Sequence, residues 1–554
     1  MPSTGGGASE PPLWAEAISL GDLLLRAAER HPEREALVFL ERRFSYAEVA
    51  ERAIAAARSL AGLGVEPGEA IGLLLPNGVD FISLFFGAQL LGAVVVPINT
   101  RFRARELRHV VESAGLTAVV TGGSGPIDLL GRLQEALPGL AAEGDPAALD
   151  VAAAPRLRAL VGLGDEGERA LSRRRFEELG AAIPRARIWQ SRAAVRVRDV
   201  ATLMFTSGTA AAPKGCLLSH EAMVRVWTAA GRRLGWDGEE RLFDPLPMFH
   251  MGCLGPTLAG FEAGATLISM PHFEAGPALD LIERERATWL YTVFPTVTLG
   301  LIEDETFADR DLSRVRGLND LGPAQTLAKI QAAFPTAIEV GGSFGMTEAC
   351  GHITCGDPAA PPEVRMGTAG RPLPGFEVRA VDPVGGRLLG PGSRGELQVR
   401  GFGLFEGYDK LPEAQAEAWT EDGWLRSGDL GMLDEAGNVI YLGRRKDMLK
   451  VGGENVAPAE IEAHLEAHPA IKLAQVVAAP DPRLHEVPAA FVELKTGAEL
   501  TPAELIEFCE GQIASFKVPR HVRFVSEWPT SATKIQKVVL RQRIERELAA
   551  QLPG

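Results

Sequence analysis

The sequence predicts an α/β protein: a large N-terminal domain with covered β-sheets, followed by a small α+β C-terminal domain. Helix-pattern segments (Leu20 to Glu29, Tyr46 to Leu63, Arg105 to Ala114) alternate with short β-branched runs (Ala70 to Leu75, Ala118 to Thr121). That alternation implies sheets covered by helices. The 554 residues are too many for one core, and 46% hydrophobic content gives each domain enough to bury. The clearest boundary is Gly443 to Asp447, a charged run after the strand-like Val439-Ile440-Tyr441-Leu442. Beyond it, Ala457-Pro458-Ala459-Glu460-Ile461-Glu462 opens a helix, because proline suits the first turn and carboxylates complement its dipole. About a hundred residues follow, an ordinary domain size.

Taken in order, the chain starts with a Gly/Ser/Pro-rich stretch, Met1 to Pro12, that lacks a basic and then apolar leader. Residues 1–18 are therefore expected to be a disordered tail. Phe81 to Ile98 carries no charge over eighteen residues. Ser83, Gln89 and Pro97 interrupt it, and Gly92-Ala93 separates a helix-like half from the strand-like Val94-Val95-Val96. The reading is a buried helix running into a buried strand, with no integral membrane segment. Gly122 to Arg198, rich in Ala, Gly and Arg, carries few signals and is expected to hold loops or insertions.

A net charge of −15 argues against nucleic acid as a partner. It does not exclude a nucleotide, which binds through local groups. Five scattered cysteines without metal spacing fit a reducing cytoplasm.

The most informative stretch is Thr206-Ser207-Gly208-Thr209-Ala210-Ala211-Ala212-Pro213-Lys214-Gly215, which follows the apolar run Ala201 to Phe205. Glycine lets backbone approach an anion, hydroxyls and N–H groups donate to it, and lysine adds a mobile charge, so the segment reads as a phosphate clamp. A polar surface turn uses the same residues. It is not a P-loop, since no Gly-Lys pair occurs in the chain. Gly162-Leu163-Gly164-Asp165-Glu166-Gly167 fits a dinucleotide fingerprint, but its carboxylates stand where a pyrophosphate must approach, and it reads as a loop.

Further motifs follow in fixed order: Pro247-Met248-Phe249-His250-Met251-Gly252, Gly345-Met346-Thr347-Glu348, Gly395 to Gly401, Trp424 to Gly431, Gly443 to Val456, and Pro529 to Lys537. Through these residues the chain resembles the adenylate-forming superfamily, which comprises acyl-CoA synthetases, peptide-synthetase adenylation domains and luciferases. The likeness runs from about Leu20 to near the C-terminus. It implies an AMP-binding domain over residues 19–443, a hinge at 444–446 and a mobile C-terminal domain over 447–554.

The resemblance also implies roles for individual residues. Thr206, Ser207, Gly208, Thr209 and Lys214 would hold the β- and γ-phosphates of ATP. Thr347 would donate to the α-phosphate and Glu348 would hold Mg²⁺, a hard ion that prefers carboxylate oxygen. By itself Thr347-Glu348 reads as a helix N-cap. Asp429, expected in a glycine-flanked turn, would accept the ribose hydroxyls with help from Arg444. Phe344, where tyrosine is more usual, would stack on adenine. Lys534 would be the catalytic lysine bridging carboxylate and α-phosphate, and Lys446 the hinge. Gly452 and Gly453 would line the tunnel for CoA, and His250 would gate thiol access. Phe294, Gly341, Gly342 and Met346 would belong to the acyl pocket with Trp289, Tyr291 and Cys253, and the two glycines would leave room for length or bulk.

The chain departs from the family pattern at Ala210-Ala211, at Thr533, and in a Pro529-to-Lys534 loop one residue short. The implied activity is an ATP-dependent ligase joining a hydrophobic carboxylic acid (fatty, aryl or alicyclic) to CoA through an acyl-adenylate. A homodimer is compatible with it. A non-catalytic nucleotide-binding member of the fold and transfer to a carrier protein are the alternatives. The absence of a carrier domain after Gly554, and of a carboxylate in Phe249-His250-Met251 for an amino group, favour CoA.

Overall fold

The computed structural model describes residues 17–122, 127–141, 145–164, 169–206, 213–451, 454–531 and 534–550. At 141, 454, 455, 531 and 534 only the backbone is described. The expected tail 1–18 therefore lies almost wholly outside the described residues, as do Ser207, Gly208, Thr209, Ala210, Ala211, Gly452, Gly453, Thr533 and the acidic part of the glycine-rich stretch after Gly164.

Two large sheets form the N-terminal part. In the first, eight strands run in the order Gly407–Tyr408, Gly215–Ser219, Val200–Phe205, Val94–Pro97, Ala70–Leu74, Ala118–Thr121, Ala159–Gly162, Leu171–Ser172. From Val200–Phe205 onward they pair in parallel. In the second, seven strands run Ile338–Glu339, Gly317–Asp320, Trp289–Val293, Arg241–Phe243, Thr266–Ser269, Glu35–Phe39, Arg42–Ser45, parallel except for the last pair. The largest buried cluster joins Leu37, Leu267 and Tyr291 of one sheet to Ile71, Val95 and Val120 of the other through the helices between them.

Helix Val79–Leu91 lies in that middle layer and is apolar on every face, as burial all round demands. Gly87 lets it press against helix Tyr46–Gly62, since a Cβ there would stand 2.6 Å from the Ala53 carbonyl oxygen. The helix stops at Gly92, whose φ of 81° caps it before strand Val94–Pro97. The charge-free stretch is thus a buried helix and a buried strand. Among the described residues no helix is long and apolar enough to cross a membrane.

Residues 122–198 hold more structure than their sequence signals: helices Leu129–Ala136, Arg173–Ala181 and Arg185–Ala194 and strands Ala159–Gly162 and Leu171–Ser172. The last two helices bury only Phe176, Gly180 and Ile188, too few apolar residues for a clear period.

A four-stranded antiparallel sheet (Phe376–Val381, Gly395–Gly401, Leu425–Leu433, Val439–Arg444) leads to a short turn, Arg445–Asp447. The chain then builds a separate sheet of Leu449–Val451, Glu454–Val456, Ile471–Asp481, His485–Leu494 and His521–Phe524. Helix Pro458–Glu466 packs on it, and this sheet has buried clusters of its own. Helix Pro458–Glu466 also seats against helix Ala324–Ala333 of the large part. There Thr326 Oγ1 donates to Glu466 at 2.5 Å, Lys329 Nζ donates to the Glu466 carbonyl at 2.7 Å, and Lys472 pairs with Glu303 at 2.6 Å.

Candidate active site

The described ends of the expected phosphate clamp are stapled together. Thr206 N donates to Lys214 O at 2.9 Å, and Lys214 N donates to Thr206 Oγ1 at 3.2 Å, so strand Val200–Phe205 returns at once as Gly215–Ser219. Lys214 Nζ lies 4.8 Å from the centre of the Tyr408 ring, a cation–π distance. Tyr408 Oη donates to Glu348 Oε1 at 2.7 Å. Burial and then the Glu348 charge push the Tyr408 phenol above its ordinary value, so it remains a donor. Lysine, phenol and carboxylate therefore form one chain of contacts.

Arg444 and Asp429 face each other across an antiparallel pair, with Arg444 Nε 3.1 Å from Asp429 Oδ1. Burial pulls the Arg444 guanidinium down, but Asp429, Tyr441 and Glu348 outweigh it and hold it above its ordinary value. Asp429 stands inside strand Leu425–Leu433 rather than in a turn. The left-handed Gly428 (φ 71°) is what remains of the turn signal, and Ser427 Oγ accepts from Asp429 N at 3.0 Å. Phe344 is buried, its ring 6.1 Å from that of Tyr441. Thr347 opens a short turn, Thr347–Ala349, whose N-cap is Met346 with no side-chain cap bond, so the capping alternative does not hold.

His250 is the N-cap of helix Met251–Ala263 and packs edge-on against Phe249 at 4.8 Å. Burial, reinforced by the Arg101 charge, lowers it to about 4, so the imidazole is neutral at physiological pH. Phe294 is half-buried at the N-terminus of helix Pro295–Ile302, just after Val293 at a left-handed φ of 60°. Met346 is half-buried.

The expectation that Gly341 and Gly342 leave room for substrate is corrected. A Cβ on Gly341 would collide with Leu327 Cδ1, and one on Gly342 would stand 2.7 Å from the Thr368 carbonyl oxygen. Both glycines serve close packing of chain on chain. Beneath them lies a buried carboxyl pair: Thr298 Oγ1 donates to Asp320 at 2.8 Å, and Asp320 N donates to Glu339 Oε1 at 3.0 Å. Burial raises both acids, and the Asp320 charge further opposes ionisation of Glu339.

Lys446 lies exposed in the Arg445–Asp447 turn, and the Lys534 backbone forms a small hairpin with Thr530–Ser531. Sequence reasoning missed Tyr408 and Tyr441. Their signal is rarity: the chain has four tyrosines, and Tyr291, Tyr408 and Tyr441 all border this site.

A lysine, a buried carboxylate paired with an arginine, and an aromatic wall thus stand close together ahead of the separate C-terminal sheet, an arrangement suited to a nucleotide-dependent ligase. The chain belongs to the AMP-binding enzyme family: that family's profile matches residues 24–409, and the AMP-binding enzyme C-terminal domain matches 460–534. It is of the adenylate-forming, acyl-CoA synthetase type, an acid–thiol ligase.

The putative acyl-CoA synthetase YngI of Bacillus subtilis (strain 168) is 32% identical, covering 95% of this chain and 97% of its own. The mitochondrial medium-chain acyl-CoA ligase ACSF2 of Rattus norvegicus is 31% identical, covering 96% and 88%. Among solved structures, the anthranilate CoA ligase AuaEII in complex with anthranoyl-AMP superposes with a TM-score of 0.83 at 27% identity, covering 98% of this chain and 99% of its own. ATP-bound MatB from Rhodopseudomonas palustris gives 0.81 at 26%, covering 95% and 99%.

Proposed function

We propose that the enzyme joins a largely hydrophobic carboxylic acid, fatty or aryl, to CoA in two half-reactions. The acid's carboxylate first attacks the α-phosphorus of ATP, forming the acyl-adenylate and expelling pyrophosphate. The CoA thiol then attacks the acyl carbon and AMP leaves. The observation that carries this reading is the contact chain Lys214, Tyr408, Glu348, with Arg444 and Asp429 beside it. It supplies cations for phosphate oxygens and carboxylates for a ribose and a metal.

Thr206 and Lys214, with Ser207, Gly208 and Thr209, hold the β- and γ-phosphates, while Phe344 and Tyr441 wall the adenine. Glu348 fits Mg²⁺, because this ion is commonly held by one or two carboxylates with substrate phosphates completing the shell. When bound, the ion neutralises charge on the phosphates. Thr347 donates to the α-phosphate, and Lys534 brings a positive charge to the developing oxyanions. For the second half-reaction the C-terminal domain turns about Lys446, withdrawing Lys534 and presenting Gly452-Gly453 to the pantetheine arm.

Apolar Trp289 and Phe294 favour an acid with a hydrophobic body. The names of the medium-chain and anthranilate ligases point the same way. The buried, free thiols are compatible with the cytoplasm, although the rat relative is named mitochondrial.

The test is ATP–pyrophosphate exchange across a panel of acids, followed by thioester formation. Lys534→Ala is expected to cut exchange on the order of 10²–10³-fold. It should spare transfer from preformed acyl-adenylate. ATP binding without exchange for any acid would instead favour the non-catalytic nucleotide-binding alternative.

A further inference from the structure

Tyr291 Oη and His352 Nε2 meet at 3.0 Å, joining side chains from distant parts of the sequence. Both are buried, at 2% and 6% exposure. Tyr291 belongs to parallel strand Trp289–Val293, whose carboxyl end runs directly into Phe294. Ligands of open parallel sheets gather at that end.

His352 follows Glu348 by four positions, after Gly351 at a left-handed φ of 99°. A Cβ on Gly351 would stand 3.1 Å from Trp227 and 3.2 Å from Met251 Cβ, and Met251 is the residue after His250. The pair therefore stands beside the Glu348 turn and the His250 helix, which the ligase reading above assigns to the acyl side of the reaction centre.

The tautomer follows from elementary acidity. Burial lowers His352 to about 4, so its ring is neutral, with one nitrogen donating and the other accepting. A phenol is a far stronger acid than a neutral imidazole N–H, and imidazole nitrogen is a far stronger base than phenol oxygen. The stable arrangement is Tyr291 O–H donating to Nε2, which leaves the ring proton on Nδ1. His352 Nδ1 is buried and has no hydrogen-bond partner among the described residues. The adjacent Trp227 ring, 4.6 Å away, offers no acceptor, and its own N–H is spent on the Cys350 carbonyl at 2.8 Å. Buried N–H groups without an acceptor are rare in folded proteins.

Resting on the ligase reading above, we infer that His352 Nδ1–H is a specificity contact for an oxygen atom on the body of the acid. The preferred substrate carries an oxo, hydroxyl or ether oxygen on an otherwise apolar frame. The reacting carboxylate is not the group bound here, since it must lie beside Thr347 and the phosphates. Tyr291 is the positioning residue: by occupying Nε2 it fixes the proton on the nitrogen that faces the substrate. An acid lacking the oxygen leaves that buried N–H unpaired, the situation in which enzymes discriminate most strongly.

The experiment compares thioester formation from matched acids. Medium-chain alkanoic acids are set against hydroxy- and oxo-alkanoic acids of equal length, and benzoic acid against hydroxybenzoic acids. Wild type is expected to favour at least one oxygenated partner by about tenfold or more in kcat/KM. His352→Leu should bring that ratio near unity by slowing the oxygenated acid alone. Tyr291→Phe, which releases the tautomer, should lower it part of the way.

Because a folding defect scales both members of a pair, the ratio remains interpretable in a poorly folding variant. A wild-type preference for the plain acid in every pair, or an unchanged ratio in His352→Leu, overturns the inference while leaving the ligase reading intact. Failure of every acid to form a thioester overturns both.

Discussion

The proposed nucleotide half and the proposed acyl half of the site bury polar groups by opposite means. On the nucleotide side the buried carboxylates have a charge or a strong donor at hand: Asp429 faces Arg444, and Glu348 takes the Tyr408 hydroxyl near Lys214. On the acyl side burial wins and the groups give up their charge. Asp320 and Glu339 are raised, Asp244 is raised, and His250 and His352 are lowered to about 4. Charges must be kept where a triphosphate is held, and they are a liability where a hydrocarbon frame must enter. The contrast teaches that two dielectric environments can lie a few residues apart, since His352 follows Glu348 by only four positions.

The largest effect expected from breaking this contrast is at Glu348. Glu348→Gln keeps an acceptor for Tyr408 but removes the charge. Exchange of ATP with pyrophosphate should fall on the order of 10²–10³-fold, the usual loss when one electrostatic group is removed from a reaction centre. Thermal unfolding should change little. Undiminished exchange would mean that the nucleotide half does not depend on its carboxylate, and the contrast with the acyl half would lose its functional meaning.

A smaller effect tests the acyl half. The Asp320–Glu339 pair holds protons in the folded chain that an unfolded chain has already released above the ordinary carboxylate range. The folded state therefore binds more protons, and stability falls as pH rises. Glu339→Gln preserves the acceptor for Asp320 N while removing one ionisation. Melting temperature, followed from about pH 6 to about 8, should decline in the wild type and flatten in the variant. Equal slopes would show that the pair is already ionised at neutrality.

The same contrast explains how much the sequence revealed. Clamp, Thr347-Glu348, Asp429 and Arg444 sit in contiguous runs of glycine, hydroxyl and charge, so candidates for a nucleotide half can be named from sequence, and the helix and strand within Phe81 to Ile98 were legible. The proposed acyl half draws on Tyr291, Asp320, Glu339 and His352, single residues in separate segments. No local pattern links them, because parallel strands bring together positions far apart in the chain. Gly341 and Gly342 misled for a related reason. A glycine in sequence does not disclose whether empty space or a neighbouring backbone occupies its missing Cβ, and here Leu327 and Thr368 do. Asp429 was placed in a turn because Gly428 hides a strand that pairs residue for residue with Arg444.

The smallest expected effect extends the contrast to the joint between the two parts of the chain. Glu466 is buried where helix Pro458–Glu466 meets helix Ala324–Ala333, and burial, against the Thr326 and Ala474 hydrogen bonds, raises it to about 7. The charged groups around it are Glu462 on its own helix, itself bound to Lys537, and Lys329 across the joint, whose ammonium bonds the Glu466 carbonyl and whose own pKa burial lowers. The joint is thus built like the acyl half, around a carboxyl whose ionisation burial disfavours. Raising pH from the ordinary carboxylate range through about 7 ionises Glu466 and costs the seat its proton, so docking weakens as pH rises and levels off above that point. Glu466→Gln should hold the seat across the whole range, while Thr326→Val should weaken it by about 0.5–1.5 kcal/mol. Hydrogen exchange of residues 324–333, read at several pH values, measures both. Exchange that is independent of pH in the wild type would place the proton elsewhere and leave the joint to Lys329 and Lys472 alone.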